Sequence, residues 1–362
     1  MITLIIITSF FILIYLLYPV WLGLLKENNC NETNDRDMDS ISVIYLSQNG
    51  DKVLQQKIQF LLNEISVFSS NELIVIDDCS IDNSLNILNQ FKSDNIQVIH
   101  NDVIKGIPNS MNTGIKVAKY DNIVFCDQRQ SLTPGIINKL VTPLRYVKIG
   151  IVSACISNYD KNNHFSIIRA HENSIKQKEA RTGNLIGVYG PLYALKKECY
   201  TEIPDNIIMD DLYLTLNILQ KYQVIFLKEC QIVEENLYLL YSYDRARRYL
   251  KGFFQIFTKK MLSNLSSKQI IMLFWHKYFR LIIPLLILSC FIMIGMKSIG
   301  HIGYLVVFTL TMFSIFILPW INTGLFKKFQ IINLFLISLY YTIAFFDIII
   351  SRFLLTNNDI EK

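Results

Sequence analysis

The sequence predicts an α/β-layered domain carried between membrane-spanning helices, and three observations predict it. Residues 41–250 alternate short β-branched runs with amphipathic segments. Both ends of the chain hold long apolar runs almost free of charge. The 362 residues are 51% hydrophobic and only 18% charged, with a mean hydropathy of +0.31. A soluble globular domain carries roughly a quarter charged residues. The composition therefore excludes a disordered protein, a nucleic-acid arm and an ordinary cytosolic enzyme. The net charge of +5 is too small to imply a polyanionic partner, so no nucleic acid is expected.

Residues 2–25 carry no charge before Lys26 and match the length of about 20 apolar residues that crosses a bilayer. They lack the basic n-region and small-residue cleavage site of a signal peptide, which predicts an uncleaved anchor. Three more apolar runs lie at 281–296, 302–320 and 330–350. Nine basic residues fall between Arg245 and Arg280, and no Asp or Glu occurs between Asp244 and Asp347. Basic flanks of a span stay on the cytoplasmic side, so the middle domain is expected in the cytoplasm. The expected organisation is an anchor at 1–25, a polar linker at 26–40, the α/β domain at 41–250 and basic interfacial helices at 251–280. Three transmembrane helices at 281–352 and a tail at 353–362 complete it.

Within the domain, ISVIYLS (41–47), ELIVIDD (72–78), NIQVIH (95–100) and NIVFCD (122–127) read as strands. Residues 52–68, 83–91 and 107–119 read as the helices between them. Strand–helix–strand repeats of this length build parallel sheets with right-handed crossovers. Ligands of such sheets sit beyond the carboxyl ends of the strands, where Asp77, Asp78 and Asp127 all fall. Seven cysteines (30, 79, 126, 155, 199, 230 and 290) form no C-x-x-C pair, and the five histidines lack metal-ligand spacing. They predict buried or incidental thiols rather than a disulfide framework or a zinc site.

Five further features carry chemistry. IVIDDCSIDNS (74–84) ends a strand on two carboxylates and continues into a helix start, where Ser80 or Asp82 can cap. Lys105-Gly106 leads to Asn112-x-Gly114, and the next strand closes on Asp127-Gln128-Arg129. GNLIGVYGPLYAL (183–195) supplies a glycine-rich segment before an apolar strand. IIMDDLYLTL (207–216) and SYDRARRYLKGFFQ (242–255) bring a second carboxylate pair and a basic amphipathic helix.

The order D-D-x-S, G-x(5)-N-x-G and a D-x-D-type strand end resembles the nucleotide-sugar glycosyltransferases of family 2. These are inverting enzymes that include the cellulose, chitin and hyaluronan synthases. The resemblance covers about 41–260 and implies a GT-A-type Rossmann-like nucleotide-sugar-binding domain, here with transmembrane helices at both ends. It implies that Asp78 with Asp77 binds uridine, and that Asp127 binds a metal-diphosphate through Mg²⁺ or Mn²⁺. Asn49 and Lys105 complete the expected nucleotide site. Arg129 stands where the family usually has the second Asp of D-x-D, and a guanidinium there can contact phosphate directly. Gly187, Tyr189 and Gly190 are expected on the sugar and acceptor side. Asp211 would be the general base, with Asp210 the fallback. In place of a Q-x-x-R-W element, Arg245, Arg247 and Arg248 would offset diphosphate charge while Tyr249 offers a platform for sugar.

The expected activity is transfer of a sugar from a nucleotide-sugar, UDP-linked, to a growing polysaccharide or a lipid-linked glycan. The expected setting is a bacterial inner membrane, in contact with lipid, with the catalytic domain cytoplasmic and polysaccharide-export proteins as partners. The alternative is an inactive nucleotide-binding scaffold or sensor, motivated by Arg129 and the altered last motif.

Overall fold

A computed structural model of the chain describes residues 17–28, 32–33, 38–91, 94–158, 164–234, 243–256 and 259–278. The three runs predicted to span between 281 and 352, the tail and most of the anchor lie outside the described residues. Among the described residues, no helix is long and apolar enough to cross a membrane. The chain divides into two compact units. One comprises residues 24–235 and 259–269, the other residues 1–23, 236–258 and 270–362.

The larger unit holds eight strands: β1 (Ser40–Ser47), β2 (Ser70–Asp77), β3 (Ile96–His100), β4 (Asn122–Asp127), β5 (Ser131–Leu132), β6 (Ile149–Asn158), β7 (Leu192–Lys196) and β8 (Gln223–Glu234). Its first six helices are α1 (Asp51–Ile65), α2 (Ser84–Leu88), α3 (Gly106–Val117), α4 (Ile136–Val141), α5 (His164–Arg181) and α6 (Asp210–Ile218). The strands form one mixed sheet in the order β3-β2-β1-β4-β7-β6-β8-β5. This is an α/β architecture with the four predicted strands as its parallel half. Strand β1 is buried at every residue but Leu46, as a central parallel strand covered on both faces must be. Chain order reverses between β1 and β4, which creates the switch point where such sheets bind ligands.

The second half departs from the expected parallel sheet. Strand β7 is antiparallel to both β4 and β6, and β5 is antiparallel to β8. A glycine-containing loop delivers the chain to the tip of β4, where the Asp127 N–H donates to the Pro191 carbonyl at 2.9 Å. From that end the strand can only run back. Helix α2 is also shorter than the predicted 83–91. Past Leu88 the chain closes in i→i−3 bonds, from Gln90 to Ile87 and from Phe91 to Leu88, the tighter 3₁₀ geometry that rarely propagates.

Helix α1 buries Leu54, Ile58, Leu61 and Ile65, the spacing of one helical face. Helix α3 lies closer still. A Cβ on Gly114 would stand 2.6 Å from Cγ2 of the fully buried Ile44. The glycine of the N-x-G motif is therefore a helix-on-sheet contact. Among the described residues no disulfide forms, and burial, the largest cause, pushes the Cys126 and Cys155 thiols up to about 11. They are inert packing groups.

In the smaller unit, residues 17–23 are helical, and the Tyr18 and Trp21 rings each lie 5.5 Å from Trp275. Helix α7 (Tyr243–Ile256) buries Leu250, Phe253 and Ile256 on one face while Arg248 is exposed. Two short helices follow it in the chain, α8 (Lys259–Leu262) in the larger unit and α9 (Ser267–Leu273), whose residues are shared between the two.

The Gly114 contact has a measurable consequence. In an ordinary helix interior, Gly→Ala gains about 1 kcal/mol, whereas overpacking a core costs about 1–3 kcal/mol. Gly114→Ala should therefore lower the unfolding midpoint in a denaturant titration, and Ile44→Ala should make the second substitution less damaging. A Gly114→Ala protein as stable as the wild type would contradict this packing.

Candidate active site

The register aligns the strand tips. Ser47 pairs with Asp77, and Leu46 with Asp127. Loops after β1, β2, β3 and β4 meet there with the loop before β7.

Asp77 is fully buried. Its carboxylate accepts bonds from the Ser80 hydroxyl and, at 3.2 Å, from the Ser80 N–H, and lies 2.8 Å from His100 Nδ1. The Ser80 hydroxyl in turn accepts the Asn49 N–H at 2.8 Å. Asn49 has φ of 50°, a left-handed conformation that asparagine tolerates, and its side-chain oxygen accepts the Ile81 N–H at 2.9 Å. The Asp51 N–H donates to Asp82. Burial pushes the Asp82 carboxyl up, but hydrogen bonds from Ser84 and Asp51 outweigh it and hold the group below the usual range. These bonds interlock the first two loops.

Asp78 does the same for the third. Its Oδ1 accepts from Asn101 Nδ2 at 3.0 Å and the Lys105 N–H at 2.9 Å, while Oδ2 accepts the Gly106 N–H at 2.8 Å. It thus caps helix α3, where a carboxylate also meets the positive end of the helix dipole. Gly106 opens that helix at φ of +83°. The Lys105 side chain is exposed. The sequence contained a signal for this: Lys105 offers α3 no side-chain cap, so the orphan N–H groups need a remote acceptor.

Gln128, unnoticed in the sequence, spans the switch point. Its Oε1 accepts from the Gln48 N–H and the Ser47 hydroxyl, each at 3.1 Å, and its Nε2 donates to the Gln48 carbonyl at 2.8 Å. Gln48 Nε2 donates to the Asp78 carbonyl at 3.0 Å. Beside Gln128, Asp127 Oδ1 accepts the Gln128 N–H at 2.6 Å, and Oδ2 accepts from Arg129 Nε at 3.1 Å and Nη2 at 2.8 Å. Both carboxylate oxygens are engaged, one by a cation. Among the described residues, no three His, Cys, Asp or Glu gather as a metal set. This donor set does not fit a metal held by the protein alone.

On the far side of β4, several side chains fix the glycine-containing loop. The Glu179 carboxylate accepts the Ile186 N–H at 3.0 Å, and the buried Lys176 ammonium donates to the Gly187 carbonyl. Ser153 and Thr215 hydroxyls accept the Tyr189 and Val188 N–H groups at 2.9 and 3.2 Å. Gly187 has φ of +89°, a conformation glycine adopts without strain. The Tyr189 ring is 6% exposed, with its hydroxyl on Asn173 and the Lys176 ammonium 4.3 Å from its centroid. The ring is therefore packed inside the fold rather than exposed as a platform.

Asp210 and Asp211 open helix α6. The heavy atoms nearest to a Cβ on Gly190 would be those of the Asp211 side chain, beginning with Oδ2 at 3.6 Å. Thr215 also donates to the Asp211 carbonyl at 2.6 Å, so one hydroxyl couples the loop to the helix. Asn112 secures the approach to α6. Its amide accepts the Ile203 N–H at 3.0 Å, donates to the Ile203 carbonyl at 2.8 Å and accepts the Tyr200 hydroxyl at 2.7 Å. Burial first and the Asp210 charge second push the Tyr200 and Tyr193 phenols well up, so both remain neutral. Asp78, Gln48, Gln128, Asp127 and Pro191 thus form one hydrogen-bonded series across the strand tips, and the next residue of the loop, Gly190, faces Asp211. Arg245, Arg247, Arg248 and Tyr249 all lie on α7, in the other unit.

Residues 42–203 match the family described as glycosyl transferase family 2. Over 90 residues the chain is 36% identical to a poly(ribitol-phosphate) beta-glucosyltransferase of Bacillus spizizenii, covering 24% of this chain and 14% of that protein. Over 130 residues it is 25% identical to the Escherichia coli glucosyltransferase WfaP, covering 36% and 50% respectively. WfaP is named for UDP-Glc and α-D-GlcNAc-diphosphoundecaprenol. These matches span half or less of each relative's own length. In fold, the chain resembles the Pyrobaculum calidifontis mannosyltransferase PcManGT, solved with GDP-Man and Mn²⁺. That similarity has a TM-score of 0.68 and 16% identity, covering 93% of this chain and 96% of that one. With the mixed sheet, the aligned strand tips and the family match together, this chain carries a glycosyltransferase family 2 domain of GT-A type.

Proposed function

We propose that this protein transfers a sugar, with inversion, from a nucleoside-diphosphate sugar to a growing glycan or a lipid-linked acceptor. The observation that carries the reading is the connection between Asp127 and Asp211. The Asp127 N–H donates to the Pro191 carbonyl, and the preceding residue, Gly190, faces Asp211, whose carboxylate would lie 3.6 Å from a Cβ placed there. The donor diphosphate lies beside Asp127 and Arg129, and its nucleoside lies over the interlocked loops around Asn49, Asp77, Asp78 and Lys105. The relatives named for UDP-glucose and for lipid-diphosphate or polymer acceptors support a UDP-linked donor and an acceptor of that class.

Asp211 accepts the proton of the acceptor hydroxyl as its oxygen attacks the anomeric carbon. The bond from that carbon to the diphosphate breaks, the electron pair leaves with the nucleoside diphosphate, and an α-linked donor gives a β-linkage. Gly190 suits the acceptor side, since it places no side chain against the base.

We place the protein in a membrane, with this domain on the cytoplasmic side. The apolar runs and the basic bias of 245–280 support that placement. So does the cluster of Tyr18, Trp21 and Trp275, since such aromatics favour membrane–water interfaces. The protein should accordingly stay with the membrane pellet through alkaline carbonate extraction, and release into the supernatant would contradict the placement.

The chemistry is tested by Asp211→Asn. Transfer from a panel of UDP- and GDP-sugars should fall by about 10²-fold or more, the contribution of a positioned general base. Nucleotide affinity by calorimetry should stay within about twofold, because the substitution leaves the diphosphate side intact. Wild-type turnover in Asp211→Asn would remove the base assignment. Nucleotide binding without turnover by the wild type, across the whole panel, would instead favour an inactive scaffold.

A further inference from the structure

We infer that Arg129 takes over the charge that a divalent ion supplies in an Asp-x-Asp site, so that the nucleoside diphosphate binds without metal. The inference rests on the donor-site reading above and goes beyond it.

Electrostatic balance comes first. Two carboxylates on one turn carry two negative charges, and a diphosphate approaching them is repelled unless a cation intervenes. The Asp127-Gln128-Arg129 turn carries no net charge. Its one carboxylate is already matched by a guanidinium through two N–H bonds of 2.8 and 3.1 Å. The cation that an Asp-x-Asp turn must recruit from solution is here covalently attached.

The turn is also built to present that cation. On one side, the Gln128 side chain is pinned to Ser47 and Gln48 by three hydrogen bonds. On the other, Gln130 is buried and its carbonyl accepts the ammonium of the buried Lys57. Between these fixed neighbours, Arg129 is 66% exposed, while Asp127 is 26% exposed. Exposed ion pairs contribute little, so the guanidinium can turn from Asp127 to phosphate oxygens at small cost. Arginine–phosphate pairs are charge-assisted and frequently bidentate, hence stronger than the contact given up.

Calorimetry with UDP and GDP as probes, in EDTA and then in millimolar Mn²⁺, tests this without relying on turnover. The wild-type Kd for the preferred nucleotide should agree between the two conditions to within about threefold. Arg129→Asp, which rebuilds an Asp-x-Asp turn, should weaken binding about tenfold or more in EDTA and recover it in Mn²⁺. Arg129→Lys should keep part of the metal-free affinity. Because Arg129 is exposed, unchanged thermal unfolding of both variants is expected, and it separates charge from folding. A wild type that binds only with Mn²⁺ overturns the inference, as does an Arg129→Asp protein that binds equally well in EDTA. A folded wild type that binds neither nucleotide in either condition overturns the donor-site reading, and this inference with it.

Discussion

A carboxylate buried at a strand tip must find donors, and Asp78 finds three of them on the segment between β3 and α3. The rest of the site depends on this contact. It supplies the cap that α3 lacks, fixes where the third loop leaves the sheet, and leaves α3 to press Gly114 onto Ile44 and Asn112 onto Ile203. Through Asn112 it reaches the segment that leads into Asp210 and Asp211. A motif whose resemblance implied uridine binding is, in the folded chain, also a framework. Asp77 holds Ser80 beside His100, and Asp78 holds a helix end.

The two halves of the sheet then serve different purposes. The parallel half aligns carboxylate-bearing loops at one edge because its strands all point the same way. The antiparallel β7 brings the opposite end of a strand to that edge, so its preceding loop lies beside Asp127. Glu179, Lys176, Ser153 and Thr215 immobilise that loop through its backbone. The position of the loop that carries Gly190 on the side of Asp211 is therefore set by buried hydrogen bonds.

Much of this was legible in the sequence, and the remainder was hidden for identifiable reasons. The β-branched runs gave β1 to β4 to within two residues. Strands β1, β2 and β4 are largely buried, which leaves little choice of side chain, whereas the edge strand β3 is half exposed. Strand direction was not legible, since an apolar run such as LYALK reads alike in either sense. Tyr189 drew attention because it lies between glycines, but its burial depends on Asn173 and Lys176 one helix away, and no local pattern reports such partners. Gln128 was passed over because its neighbours in the motif are charged. Its importance comes from β1 lying beside β4, which only the sheet order reveals. The one departure from the family pattern that the sequence displayed openly, Arg129, acquired a physical meaning only when its guanidinium was found on Asp127.

The account turns on one shared pocket in which the Asp127–Arg129 turn receives a diphosphate and Asp211 faces the sugar side. An experimental structure of the chain with a nucleoside diphosphate bound addresses this most directly. The account predicts diphosphate oxygens within hydrogen-bonding distance of the Arg129 guanidinium, with the open side of the sugar position bounded by Gly190 and Asp211. A nucleotide seated away from the tips of β1, β2 and β4, or a diphosphate directed away from the Gly190–Asp211 contact, would contradict it.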